Sequence, residues 1–361
     1  MTKEQNVGAI VRQFQIEGKF ASAAPYGSGH INDSYCAVFD EAGVRVRYML
    51  QRINGDIFKT PITVMENIQR VTEHLAAKLS GQPDCDRRVL ALIPAHDGKV
   101  WHADANGSYW RVYRFIEKAH TYDAVESPEQ AFQAAKAFGQ FQQLLADLPL
   151  PRLNEVIPDF HHASKRFAAL ERAIDSDVSD RAVLARVEIQ FALARKSIAS
   201  ALLEADLPER VTHNDTKLNN VLLDDSTGEG LCVIDLDTVM PGLALHDFGD
   251  MVRSTTSPTQ EDEKDLNRVT MQFPMFEALV RGYLASTEGF LTTAEKQHLV
   301  LAGKVMIFEQ GIRFLTDYLA GDTYYKVHRD GQNLDRCRTQ FRLLESIERQ
   351  EEKMTRLVES I

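Results

Sequence analysis

Within residues 211–250, VTHNDTKLNNVLLDDSTGEGLCVIDLDTVMPGLALHDFGD, three side chains have the types and spacing that phosphoryl transfer requires: Asp215, Asn220 and Asp235. An aspartate such as Asp215 can position and deprotonate an attacking hydroxyl. A carboxamide oxygen and a carboxylate can together hold one Mg²⁺, which takes oxygens at about 2.0–2.1 Å and keeps its other positions for water and phosphate. The string His213-x-Asp215-x-x-x-x-Asn220 is a weak signal alone, because short degenerate strings recur by chance. Its setting makes it specific. Two apolar runs, 221–223 and 231–234, flank an Asp-Asp-Ser-Thr-Gly-Glu-Gly loop, the pattern of a β-hairpin. A symmetric hairpin sets Leu223 opposite Cys232, Val221 opposite Ile234 and, one pair further out, Asn220 opposite Asp235, with Cβ atoms ~4.5–5.5 Å apart. Asp215, on the loop entering the hairpin, then reaches the edge of the same site.

The rest of the chain must supply the scaffold. Upstream, residues 20–27, 34–39 and 46–53 are short runs rich in β-branched and aromatic side chains, separated by turn chemistry at 27–29 and 40–43. They predict three antiparallel strands. Over 62–79, Val64, Ile68, Val71, Leu75 and Leu79 recur at helical spacing. Residues 88–93 and 109–116 predict two further strands, bent back by a turn at 104–107. After residue 117 the pattern becomes helical. Ser127-Pro128-Glu129-Gln130 is an N-terminal cap, and Ala131, Ala134, Phe138, Phe141, Leu145 and Leu148 form the stripe behind it. A helix over 182–204 is predicted to bury Leu184, Val187, Phe191, Ala194, Ile198 and Leu202. Thr292-Thr293-Ala294-Glu295 opens another that runs towards Phe314, and 341–361 predicts an amphipathic terminal helix. The expected fold is therefore α+β, with a small antiparallel β lobe at 1–117 and a larger, mainly helical lobe at 118–361.

With its parts in this order, His213–Asn220 followed by VIDLD at 233–237 resembles the aminoglycoside phosphotransferase and choline kinase family. More closely, Gly29-His30-Ile31-Asn32-Asp33, HNDTKLNN, IDLDTVMPG, HDFGDMVRS and GIRFLTDYLAGDTYY resemble bacterial N-acetylhexosamine 1-kinases, over about residues 27 to 326. The resemblance implies a two-lobed protein-kinase-like fold, ATP as cosubstrate, Mg²⁺ as cofactor and phosphorylation of the anomeric hydroxyl of GlcNAc or GalNAc. It implies Asp215 as catalytic base and Asn220 and Asp235 as metal ligands. Sugar contacts would come from Asp215, His30, Asn32, Arg313 and Tyr324. The chain departs from the wider kinase pattern in two places. Its glycine-rich loop is only Gly27-Ser28-Gly29, and its third strand carries Gln51-Arg52 where many kinases have lysine. Arg52 would meet the phosphates and pair with Glu66, guanidinium being well suited to phosphate. That assignment is open to Gln51 by one position of register. Phe115-Ile116-Glu117 would be the hinge that offers backbone groups from Phe115 and Glu117 to adenine.

Several residues carry two readings. Asp237 is either a second metal ligand or a satisfied turn carboxylate. Asp247 and Asp250 read as braces of the catalytic loop rather than ligands. His161-His162 reads as a solvated loop, since a metal pair would need a third ligand nearby. Arg313 lies on an apolar helical stretch, where an unpaired charge would be costly, so it is expected to face a polar pocket or a salt bridge. Other functions stay open: kinases of choline, homoserine or an aminoglycoside, a glycosyltransferase built on Asp235-Leu236-Asp237, and a pseudokinase that senses nucleotide or sugar.

Composition bounds the partners. The 361 residues carry 52 acidic and 41 basic side chains, a formal charge of −11, which argues against nucleic acid and anionic membranes. Eight of the acidic residues and only one basic residue fall within 211–250, around the proposed cation site. No apolar run approaches the ~18 residues needed to span a bilayer. Cys36, Cys85, Cys232 and Cys337 lack C-x-x-C spacing, and with no secretory leader pattern at the start a cytoplasmic location is expected. Partners are thus a small sugar and ATP. Nothing in the sequence sets an oligomeric state.

Overall fold

The computed structural model describes residues 3–27 and 31–361. The chain begins with α1 (Lys3–Val11), then strands β1 (Lys19–Pro25), β2 (Asp33–Glu41) and β3 (Val44–Arg52), helix α2 (Pro61–Leu79), and strands β4 (His102–Ala103), β5 (Tyr109–Arg114) and β6 (Ala119–His120). Helices α3 (Pro128–Leu144), α4 (Ala163–Ser176) and α5 (Arg186–Ala194) follow. Next come β7 (Glu209–Thr212), β8 (Val221–Asp224), β9 (Gly230–Val233) and β10 (Met240–Leu243). The remainder is helical: α6 (Ala244–Thr255), α7 (Phe273–Ser286), α8 (Thr293–Gln297), α9 (Leu299–Leu319) and α10 (Gln332–Glu359). The N-terminal region is thus an antiparallel sheet and the C-terminal region helical, as the sequence predicts. No described helix is long and apolar enough to cross a membrane.

The chain divides into two units, each described by itself. The first comprises residues 1–120, 147–157 and 222–240. Its five-stranded sheet has the order β1-β2-β3-β5-β4. Alternation along β2 buries Tyr35, Ala37 and Phe39, and along β3 Tyr48 and Leu50, which join Val11, Phe14 and Val112 in one core. The β2–β3 turn is set by Gly43, at φ 88°, whose amide donates to Asp40 Oδ1 at 2.7 Å. Helix α2 starts at Pro61 and buries the predicted stripe, together with Asn67. The Asn67 amide donates to the carbonyls of Asn154 (2.8 Å) and Val239 (2.9 Å), so one side chain ties two distant segments to the helix.

Two strand expectations change here. Residues 88–93 contract to a single bridge, Leu92 with Tyr113, because Pro94 has no amide to continue the ladder. The β8–β9 hairpin closes with the Asp224 amide on the Glu229 carbonyl (3.0 Å) and the Gly228 amide on the Asp224 carbonyl (2.8 Å). Beyond it the strands do not run on to Asn220 and Asp235. Asn220 ends a 3-10 turn (Leu218–Asn220), and Asp235 turns left-handed at φ 58° before a second one (Leu236–Thr238). Neither residue is placed by simple cross-strand pairing.

The second unit comprises residues 121–146, 158–221 and 241–361. Ser127 caps α3 by accepting the Gln130 amide, and Thr292 and Glu295 form a reciprocal capping box on α8. Helices α6 and α9 pack closely at Gly249, where a Cβ would lie 2.4 Å from the Ala302 carbonyl oxygen. The predicted helix over 182–204 is shorter, ending at Ala194 before a 3-10 turn (Lys196–Ala199). Its core face differs too. Ala185, Ile189 and Ala192 are buried, whereas Leu184 and Val187 are 66% and 69% exposed. Glu188, on the buried side, meets Arg338 of α10 at 2.7 Å and selects that face. The helix expected from Thr292 breaks at His298 into α8 and α9, and the terminal helix starts earlier than predicted, at Gln332.

Candidate active site

The loop between β7 and β8 belongs to the second unit. His213 enters it packed edge-on against Phe138 and Phe141. Asn214 follows at φ 65°, a left-handed conformation that asparagine tolerates better than most residues. The strain is held by α6. Asp247 accepts the amides of His213 (2.9 Å) and Asn214 (2.7 Å) and the Gln142 side chain (2.6 Å), while Asp250 accepts the Thr216 amide (2.9 Å) and pairs with Arg253 (2.7 Å). Three loop amides, those of His213, Asn214 and Thr216, are thereby anchored to buried carboxylates, and Asp215 sits between the second and third.

Asp215 is tightly framed. Its Oδ1 pairs with Lys217 Nζ at 2.7 Å, and the Asn220 amide nitrogen donates to its Oδ2 (3.1 Å) and its backbone carbonyl (2.8 Å). Burial works to raise its carboxyl pKa, but Lys217, with His213 and Arg253 behind it, holds it below the ordinary carboxylate range. It is an anion at neutral pH. With its nitrogen on Asp215, the Asn220 amide is held in one orientation.

Asp235 and Asp237 belong to the first unit and have different surroundings. Asp235 is exposed at the left-handed corner. Asp237 is buried, with Oδ1 taken by Arg111 and Oδ2 by the Asn32 amide. Both of its oxygens are thus engaged, as its reading as a satisfied carboxylate expects. Arg111 in turn donates to Gln51 Oε1 from Nε (3.0 Å) and Nη2 (2.9 Å), and Gln51 donates to Ser34 Oγ (3.0 Å). The buried cation of this sheet therefore stands on β5, with β3 contributing the glutamine that orients it. Burial opposes its charge, yet the neighbouring Asp237 raises its pKa.

The predicted nucleotide residues lie apart from that network. Arg52 is half exposed and pairs with Asp33 (Nε to Oδ2, 2.8 Å), not with Glu66, which is met by Asn154 (3.2 Å). The reason is register: Asp33 is its cross-strand neighbour on β2. Phe115 and Glu117 come together through Arg47, which lies 3.9 Å from the Phe115 ring and pairs with the Glu117 carboxylate. The Phe115 amide donates to the Arg47 carbonyl (3.1 Å), and the Glu117 carbonyl accepts from Arg87 (3.2 Å). Of the predicted acceptor residues, His30 lies outside the described residues, as do Ser28 and Gly29. Asn32 has both ends of its amide engaged, Nδ2 on Asp237 and Oδ1 on the Asn54 amide (3.0 Å).

Arg313 and Tyr324 are brought together in the second unit. Arg313, 13% exposed, lies between the rings of Phe160 (5.6 Å) and Tyr325 (5.8 Å), with Gln310 Oε1 at 3.3 Å and Glu309 at 3.9 Å. Burial opposes its charge, but the phenols of Tyr325 and Tyr324 and the Glu309 carboxylate raise its pKa. The loop that presents the tyrosines is knotted by Asp317, a residue sequence reasoning missed. Its carboxylate accepts the amides of Thr323 (2.9 Å), Tyr324 (2.7 Å) and Tyr325 (2.9 Å) and the Asn333 side chain (2.8 Å). Also missed were Lys217 and Arg111. Lys217 lies within the His213–Asn220 string, two residues after Asp215, and its charge is the available signal.

Among the described residues no three His, Cys, Asp or Glu side chains converge on one point. The Asp235 carboxylate and the Asn220 amide each offer oxygen of the kind that suits Mg²⁺. That ion is hard, prefers oxygen and completes its shell with water and phosphate.

A family model described as Phosphotransferase enzyme family (APH) matches residues 22–283. Among solved structures, the chain is similar to an aminoglycoside phosphotransferase from Alicyclobacillus acidocaldarius, with TM-score 0.63 and 12% identity over 98% of this chain and 96% of that one. It is also similar to a microcompartment-associated aminopropanol kinase, with TM-score 0.60 and 16% identity over 97% and 98% of the two chains. Spectinomycin phosphotransferase, solved with ADP and spectinomycin, matches with TM-score 0.55 and 13% identity over 99% and 98%. At these identities the likeness is one of fold.

Proposed function

This chain belongs to the APH phosphotransferase enzyme family, and from that premise we propose that it transfers the γ-phosphate of ATP to the anomeric hydroxyl of an N-acetylhexosamine, GlcNAc or GalNAc. The observation that carries the chemistry is Asp215, an ionised carboxylate on a braced loop with Lys217 on one oxygen and Asn220 on the other. In this reading Asp215 accepts the hydroxyl proton as the oxygen attacks phosphorus. Asn220 and Asp235 would hold Mg²⁺, whose charge would offset that of the phosphates. Arg52 faces the phosphates and the Phe115–Glu117 segment faces adenine.

Charge supports this choice of acceptor. Arg313, a partly buried and permanently cationic side chain beside Tyr324 and Tyr325, suits the hydroxyls and apolar face of a pyranose. It repels choline, ethanolamine and aminoglycosides, which are cations themselves. His30 and Asn32 complete the proposed acceptor contacts. Free thiols at all four cysteines accord with a reducing cytoplasm as the place of action. The chemistry is tested by Asp215→Asn: turnover falls by about three orders of magnitude or more, with ATP affinity within about twofold of wild type. Undiminished turnover contradicts the proposal.

A further inference from the structure

His161, which the sequence predicts in a solvated loop, keeps only 6% of its side chain exposed. Its neighbour His162 does stay at the surface, capping α4 through the Lys165 amide. The two ring nitrogens of His161 both face acceptors. Nε2 is 3.0 Å from the carbonyl oxygen of Asn214, and Nδ1 is 3.1 Å from Glu309 Oε1. A neutral imidazole has one donor only, so with an ionised Glu309 the ring carries both protons. The other charged or titratable groups around it are Arg313 on α9, His246 and Asp250 on α6, and His162. Burial first, and then the charge of His161, push His246 down to about 3, so it stays neutral. Burial also works against the His161 cation, but Glu309 outweighs it and its pKa is raised. Glu309 Oε2 is buried with no hydrogen-bond partner among the described residues, so its charge is balanced by His161 and, at 3.9 Å, Arg313.

The carbonyl that His161 holds belongs to the peptide unit whose N–H is that of Asp215. That N–H faces His213 Nδ1 at 3.3 Å. The peptide plane preceding Asp215 is therefore gripped at both ends, by His161 on its oxygen and His213 on its nitrogen, just after the left-handed Asn214. We propose that His161, charged by Glu309, is a positioning residue: it fixes the Asn214–Asp215 peptide plane and thereby the direction in which the Asp215 carboxylate points. The inference rests on the reading of Asp215 as the base.

Two substitutions separate this role from general stability. In His161→Gln an amide nitrogen can reach the place of Nε2 and keep the bond to Asn214. In His161→Asn the shorter amide can reach only the place of Nδ1 and keeps the Glu309 contact alone. The expected result is a kcat within about threefold of wild type for His161→Gln and at least about tenfold lower for His161→Asn, with the KM for ATP unchanged in both. Equal losses in both variants, or none in either, overturn the proposal. Nitrogen-15 NMR of the wild-type imidazole decides independently of how the variants fold. Protons on both nitrogens at neutral pH are expected, and a ring without a proton on Nε2 overturns the proposal. Asp215→Asn, assayed alongside, keeps the two claims apart. Turnover that survives it removes the base assignment, whereas turnover lost there but indifferent to His161→Asn removes only the positioning role.

Discussion

Arg111 donates to Asp237 from the middle of a strand, and the two side chains are 1% and 2% exposed. Removing one partner of such a pair leaves the other charge stranded away from water. Arg111→Met is expected to lower stability by about 3–5 kcal/mol in urea unfolding. Replacing both residues with apolar side chains of similar size is expected to recover most of that loss. A single substitution costing less than about 1 kcal/mol contradicts the pairing.

Asp317 gathers three consecutive backbone amides and the Asn333 side chain, and so shapes the loop that carries Tyr324 and Tyr325. Asp317→Asn keeps the volume but one carboxylate oxygen becomes a donor facing donors. The KM for the sugar is expected to rise about tenfold or more while the KM for ATP is unchanged. An equal rise in both constants would place the loop's effect elsewhere.

The Glu309–His161 pair makes stability depend on pH with a definite sign. The folded-state pKa of His161 is raised, so its contribution is complete below the ordinary value of about 6.5 and is lost as pH rises through the folded value. Glu309 is held low in the folded state, chiefly by His161 against the cost of burial. Its contribution is complete above about 4.3 and is lost as pH falls through the folded value. The Tm gap between wild type and Glu309→Gln should therefore be widest at about pH 4.5–6.5 and narrow towards alkaline pH. A gap that widens steadily with pH contradicts the charged pair.

How far the sequence carried these conclusions depends on distance along the chain. The α2 and α3 stripes and the caps at Ser127 and Thr292 depend on neighbours within a turn or two, and they were legible. So was the spacing of Asp215, Asn220 and Asp235, although not what places them. A 3-10 turn and a left-handed corner replace the expected strand ends, and alternation of apolar residues does not encode either. Arg111 was illegible because its partner lies 126 residues away, and because four consecutive positions of β5 are buried where a half-exposed strand would alternate. For α5, apolar residues occur on both faces, and Glu188 settles the choice through Arg338, a contact across 150 residues. His161 was misread for the same reason, its partners being Asn214 and Glu309.

The most direct test of the account is the product. The protein is incubated with ATP, Mg²⁺ and, separately, GlcNAc, GalNAc, choline, homoserine and kanamycin, and the phosphorylated position is read by phosphorus-31 NMR. The account predicts an anomeric phosphate on an N-acetylhexosamine and no comparable product from the cationic acceptors. Phosphate on choline, on an aminoglycoside, or on a sugar hydroxyl other than the anomeric one would contradict it.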